Sequence, residues 1–130
     1  MPVIDPAKVP VKTGSIYPEP YAGMMKGRSS LRHWHLNEDE FVMVTEGECT
    51  LVQDAGETVM RPGDCAAFPA GSTDGHHFIN RSDRVARFLV VGTKAPREVA
   101  TYSDVDLRVE IEGGKARFTY RDGQDWTGPR

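Results

Sequence analysis

Residues 27–47 read GRSSLRHWHLNEDEFVMVTEG, and two short patterns inside them carry the fold. The first is His33-Trp34-His35. On a β-strand residues two apart point to the same face, so both imidazoles project together. The second is Glu40-Phe41-Val42-Met43-Val44, which alternates and places Glu40, Val42 and Val44 on one face. Only the polar loop Asn37-Glu38-Asp39 separates the two runs. The spacing makes Glu40–Val44 the natural partner strand of the histidines, so that Glu40 enters the same interior.

Outward from this stretch the chain keeps the same texture. Ser30–Leu36, Glu40–Glu46, Glu48–Gln53, Thr58–Met60, Cys65–Phe68, His76–Asn80 and Val85–Val91 are short strand candidates, each followed by a turn signal. The signals include Asp54-Ala55-Gly56, Pro62-Gly63-Asp64 and Pro69-Ala70-Gly71, where Gly supplies unusual φ and Pro presets a turn. Thirteen Val and four Ile against five Leu lean toward strands as well. Short strands at regular spacing predict an all-β sandwich or small barrel. Leu107–Ile111 and Ala116–Tyr120 add a hairpin around Gly113-Gly114, with Trp126 available to dock the tail. The best helical candidate is a turn near Pro96–Tyr102. Residues 1–29, with prolines at 2, 6, 10, 18 and 20, read as an extended arm before a core at 30–92 and a C-terminal hairpin and tail at 93–130. The arm offers at most a poor edge strand at Tyr17–Met25, so the barrel is expected to be incomplete at its N-terminal side.

Composition bounds the function. The chain has 130 residues and a net charge of −3, with 38% hydrophobic and 27% charged residues. That fits one folded domain. An acidic balance argues against a nucleic-acid or anionic-membrane partner, both of which need a basic face. No apolar run approaches a membrane span. The arm lacks the apolar stretch of a secretory signal. Two cysteines make no disulfide framework, and a cytoplasmic location is the expectation.

The four histidines fall in two pairs, His33/His35 and His76/His77. Two imidazoles and the Glu40 carboxylate suit a first-row divalent metal with open positions. A fourth ligand is expected from the second pair. In His76-His77-Phe78-Ile79-Asn80 only one of the two histidines can face inward. Phe78 marks the apolar face, and that favours His76.

These residues resemble the cupin superfamily, whose first motif is Gly, five residues, His-x-His, three or four residues, Glu, six residues, Gly. Gly27, His33, His35, Glu40 and Gly47 match at every interval. Its second motif is Gly, five residues, Pro-x-Gly, two residues, His, three residues, Asn. Gly63, Pro69, Gly71, His76 and Asn80 match except that four residues separate Gly71 from His76. Counting from Gly71 points to Asp74, while counting back from Asn80 points to His76. His76 keeps the His-x-Phe-x-Asn alternation, with Asp74-Gly75 bulged in the loop; His77 is the other alternative. The resemblance implies a cupin-type double-stranded β-helix, a small jelly-roll barrel. It implies one divalent metal (Fe, Mn, Ni, Zn or Co) on His33, His35, Glu40 and His76. A homodimer is implied too.

The remaining inward positions, Val42, Val44, Phe78, Phe68 and Phe88, are the expected pocket wall. Asn80 is expected to lock a turn, and Cys49 and Cys65 to be small core residues. Arg28, Arg32 and Arg61 are expected on the solvated surface. By resemblance the chemistry is that of a metalloenzyme of dioxygenase, isomerase or lyase type acting on a small chelating polar substrate. The alternative is a non-catalytic small-molecule-binding module. No catalytic acid or base is legible in the sequence.

Overall fold

The structure, a computed structural model, describes residues 29–130. The Tyr17–Met25 edge strand, Gly27, Arg28 and all of the proline-rich arm before Ser29 lie outside the described residues. Ten strands follow in order: β1 (His33–His35), β2 (Glu40–Glu46), β3 (Cys49–Gln53), β4 (Gly56–Met60), β5 (Cys65–Phe68), β6 (His77–Ile79), β7 (Arg87–Gly92), β8 (Arg97–Tyr102), β9 (Arg108–Glu112) and β10 (Lys115–Thr119). The described residues contain no helix, and the fold is the expected all-β jelly roll.

The strands form three antiparallel sheets, ordered β1-β8-β9-β10, β5-β2-β7 and β4-β3-β6. The pairing expected between β1 and β2 does not occur. β1 pairs with β8, with His33 opposite Tyr102 and His35 opposite Ala100. β2 runs between β5 and β7, with Glu40 opposite Phe68 and Gly92. The loop Leu36–Asp39 thus carries the chain from one sheet to another. The predicted alternation of β2 survives this change. Val42 and Val44 are fully buried, while Phe41 is exposed.

The helical turn anticipated near Pro96–Tyr102 is strand β8 instead. Glu98, Val99 and Ala100 are consecutively buried, so side chains on both faces of this central strand are covered. Coverage on both faces erases the period-two signal by which a strand is read. The C-terminal hairpin is present as β9 and β10, turned by Gly113 and Gly114. Through β8 it extends the sheet that carries the two histidines.

Two apolar clusters result. One joins Val42, Val44, Cys49, Leu51, Met60, Phe68 and Phe78 between the two three-stranded sheets. The other gathers Leu31, Ala100, Tyr102, Leu107 and Val109 under the four-stranded sheet, and Trp126 docks the tail against it. Cys49 is buried as expected. Cys65 is exposed, because β5 turns Cys65 and Ala67 outward and Phe68 inward.

Gly47 turns the chain from β2 to β3 at φ +72°. A Cβ there would fall 2.2 Å from the Val85 carbonyl oxygen. The two residues that lengthen the second motif also have work. Asp74 accepts from the Asp54 N–H at 2.8 Å and from Gln53 Nε2 at 3.2 Å, tying its loop to the β3–β4 turn. Gly75 lies so close to Ser103 that a Cβ would collide with its hydroxyl. Arg32 departs from expectation. It is not solvated but clamped, with Nε and Nη2 on the Asp104 carboxylate at 2.8–3.2 Å and Nη1 on Asp54. Arg61 is exposed and pairs with Glu48 at 3.0 Å.

Candidate metal centre

β1 and β2 belong to different sheets, yet their inward faces meet across the barrel. The His33 and His35 rings bring their Nε2 atoms to 3.1 Å of one another. The Glu40 carboxylate puts Oε2 3.8 Å from His35 Nε2 and Oε1 2.9 Å from His76 Nε2. One ligand-capable atom each of His33, His35 and Glu40 lies within 4.8 Å of the others. His76 enters from the residue before β6, held by reciprocal backbone bonds with His33 at 2.9 and 3.1 Å. It is 1% exposed, and its ring stacks parallel on Phe68 with 3.5 Å between centroids.

His77 points away from this cluster, within β6 opposite Val52, and is also buried. Asp74 is committed to the β3–β4 turn. Of the three candidates for the fourth position, His76 is the one whose ring meets the Glu40 carboxylate. Asn80 locks its turn as expected. Its amide donates to the Arg84 carbonyl at 2.7 Å, and its Oδ1 accepts from the Ser82 N–H and hydroxyl.

The hydrogen bonds around His33 settle its tautomer. His33 Nδ1 lies 2.7 Å from the Leu31 carbonyl oxygen. A carbonyl can only accept, so Nδ1 carries the proton and the Nε2 lone pair faces the cluster. That is the state in which an imidazole binds a metal. Burial, the largest influence, lowers the His33 pKa from its ordinary value to about 4, with the neighbouring His76 and His35 adding to the fall and the Leu31 carbonyl opposing it. Burial works against the Glu40 carboxylate, but the His76 imidazole donating to it and the positive potential of the three histidines hold its pKa below the ordinary value. The donor set, three imidazoles and one carboxylate converging from β1, β2 and the residue before β6, fits a divalent transition ion.

The centre opens into a cavity of about 240 Å³ lined by Ser29, Ser30, His33, Glu40, Val42, His76, Phe78, Phe88 and Val90. Val42, Phe78 and Phe88 stand in its wall. Val44 does not line this cavity; it lies deeper in the core. Phe68 serves as the plate under His76 and borders a separate apolar groove with Phe41 and Val91. Val90 and the two serines were not anticipated. Val90 was legible, since it shares the alternation of Phe88. Ser29 and Ser30 carried no signal of their own, although they lie only four and three residues before His33.

A pH dependence follows from the His33 shift. In the metal-free protein the unfolded chain takes a proton on this histidine below about 6.5, while the folded chain takes it only near 4. Stability is complete above 6.5 and falls as the pH drops through the interval. Urea unfolding of metal-free protein at pH 7.5 and pH 4.5 is expected to show a loss of about 2–3 kcal/mol from this group. His33→Gln should lack that component of the difference. An equal pH dependence in the variant would assign the loss elsewhere.

The Cupin domain family model matches residues 21–92. A solved structure of a sugar phosphate isomerase from a cupin superfamily, from Silicibacter pomeroyi, is 43% identical, with a TM-score of 0.92 and 98% of each chain covered. A second solved structure, named "putative sugar phosphate isomerase" and from Acidithiobacillus ferrooxidans, is 24% identical. Its TM-score is 0.68, over 78% of this chain and 64% of that one, a likeness of fold alone. No match was found among curated proteins.

Proposed function

The chain belongs to the cupin family, and from that premise we propose that it is a metal-dependent isomerase of a small phosphorylated sugar. The observation that carries the proposal is the convergence of His33, His35 and His76 with the Glu40 carboxylate beside a cavity of about 240 Å³. The similar Silicibacter pomeroyi protein, described as a sugar phosphate isomerase, supplies the substrate class. His33, His35, Glu40 and His76 would hold the ion. When bound, a divalent ion supplies Lewis-acid polarisation of a carbonyl and its neighbouring hydroxyl.

The chain's own residues do the rest. The Leu31 carbonyl holds the His33 ring with its lone pair forward. Phe68 holds the plane of His76. Val42, Phe78, Phe88 and Val90 keep the wall apolar, which strengthens every polar interaction at the end of the cavity. The hydroxyls of Ser29 and Ser30 line the same space, and that of Ser30 stands 3.3 Å from His33 Nδ1. A polyol chain meets polar groups on that side and apolar ones opposite.

The test begins with protein purified without chelators or a histidine tag. Near-stoichiometric iron, manganese, nickel, zinc or cobalt is expected. Incubation with aldose and ketose phosphates of four to six carbons, followed by NMR, is expected to show interconversion of one pair. Metal binding without turnover of any member would support the non-catalytic binding module instead. Absence of bound metal, with none taken up on titration, would remove the metal-centred reading altogether.

A further inference from the structure

Behind the metal centre, on the side of His35 away from the main cavity, stand two carboxylates. A ring nitrogen of His35 and a carboxylate oxygen each of Glu38 and Glu98 lie within 4.8 Å of one another. Glu98 is 2% exposed. Its partners are all backbone N–H donors: Leu36 at 3.0 Å, Asn37 at 3.1 Å and Val99 at 2.6 Å. A nest of donors suits a carboxylate rather than its acid. Among the described residues, none of its hydrogen-bond partners is a lysine or arginine side chain. Glu38 sits nearer the surface, its side chain 14% exposed. One of its oxygens accepts from the Ala95 N–H at 3.0 Å, and the other is 3.6 Å from Lys94 Nζ. His35, Glu38, Glu40 and Lys94 share the lining of a second cavity of about 200 Å³.

A buried anion without a cationic side chain is costly to the fold, so its retention calls for a cation elsewhere. His35 belongs both to this group and to the group with His33 and Glu40, so the centre offers a place for one. An imidazole that gives one nitrogen to a metal keeps its proton on the other. His35 Nδ1 is buried and has no hydrogen-bond partner in the protein. Resting on the metal reading above, we propose that Glu98 and Glu38 form an anionic layer that sets the cation affinity of the centre by acting through His35. They are positioning residues and do not ligate the ion. Glu98 provides the fixed, desolvated charge. Glu38 provides a weaker, water-accessible one that Lys94 partly offsets. Glu98 also fixes the Leu36–Asn37 backbone where the chain leaves β1, so it holds the His35 end of the strand in place as well as charging it.

The experiment titrates metal-free full-length protein with Co(II) alone, reading both affinity and the visible d–d spectrum. Glu98→Gln keeps the shape and an oxygen acceptor but removes the charge. It is expected to weaken Co(II) binding by about 10- to 100-fold, with the spectrum of the bound ion and the Tm of the metal-free protein unchanged. Glu38→Gln is expected to weaken it by about threefold, as suits a more exposed charge. An unaltered affinity in folded Glu98→Gln overturns the proposal. So does a changed spectrum in either variant, which would make that carboxylate a ligand. If Glu98→Gln does not fold, Glu38→Gln decides, and wild-type affinity there overturns the proposal. A wild-type protein that binds no Co(II) overturns the metal reading together with this one. A wild-type protein that binds, with variants that bind equally well, overturns the anionic layer alone.

Discussion

Protein carrying His35→Ala is expected to retain less than about a tenth of the metal that wild-type protein holds when both are purified without chelators. His35 Nε2 stands 3.1 Å from His33 Nε2 and 3.8 Å from the Glu40 carboxylate, so it lies between two of the other donors. Its removal leaves a set spread over His33, Glu40 and His76. The Glu40–His76 bond at 2.9 Å then closes on itself, with the His76 N–H satisfied by the carboxylate and less free to yield to an ion. The fold has little at stake in the side chain. The His35 backbone accepts from the Gly71 N–H at 2.8 Å and pairs with Ala100 regardless of what the residue carries. The Tm of metal-free His35→Ala should therefore stay within a few degrees of metal-free wild type. Elemental analysis beside a thermal melt checks both halves. Full metal content in the variant would show that the ion, if present, is held elsewhere.

Gly47→Ala is expected to destabilise the protein by about 2–4 kcal/mol, enough to endanger folding in a domain of ordinary stability. Two effects add. The backbone at φ +72° disfavours any side chain. The new Cβ would also lie 2.2 Å from the Val85 carbonyl oxygen and 3.0 Å from the Ala86 Cα. Both obstacles are backbone, so neither can swing aside. Gly114, on the β9–β10 turn at φ +74°, is the control, because no atom lies within 4 Å of its would-be Cβ. Gly114→Ala should lose only the conformational part, about 1–2 kcal/mol. Urea denaturation of the three proteins separates strain from collision. Equal losses at the two glycines would show that the Val85 contact does not limit the turn.

Much of the architecture was legible because it rests on local pattern. Glu40–Glu46 and Cys65–Phe68 occupy the bounds read from alternation. The turns at Gly47, Gly63 and Gly71 adopt the positive φ that their positions required. Where the reading failed, the local signal was absent or ambiguous. β8 is covered on both faces and shows no period. Cys65 looked like a core residue by type, but its place in the pleat turned it outward. Arg32 looked solvated by type, but two acidic residues from distant loops enclose it.

By itself the sequence determined the bounds of Glu40–Glu46 and Cys65–Phe68, the turns and the common side of His33 and His35, because these depend on spacing along a single strand. It also indicated which residue types could hold a divalent ion. Only the tertiary structure decided which strands are neighbours. It put β1 against β8 rather than β2, and faced Glu40 toward the histidines across the barrel instead of beside them in a sheet. It also set Phe68 under His76, and Glu38 and Glu98 behind His35. Those contacts join residues from 3 to 69 positions apart in the sequence. Strand pairing between such segments is chosen by how whole faces bury against one another, and no local period encodes that choice.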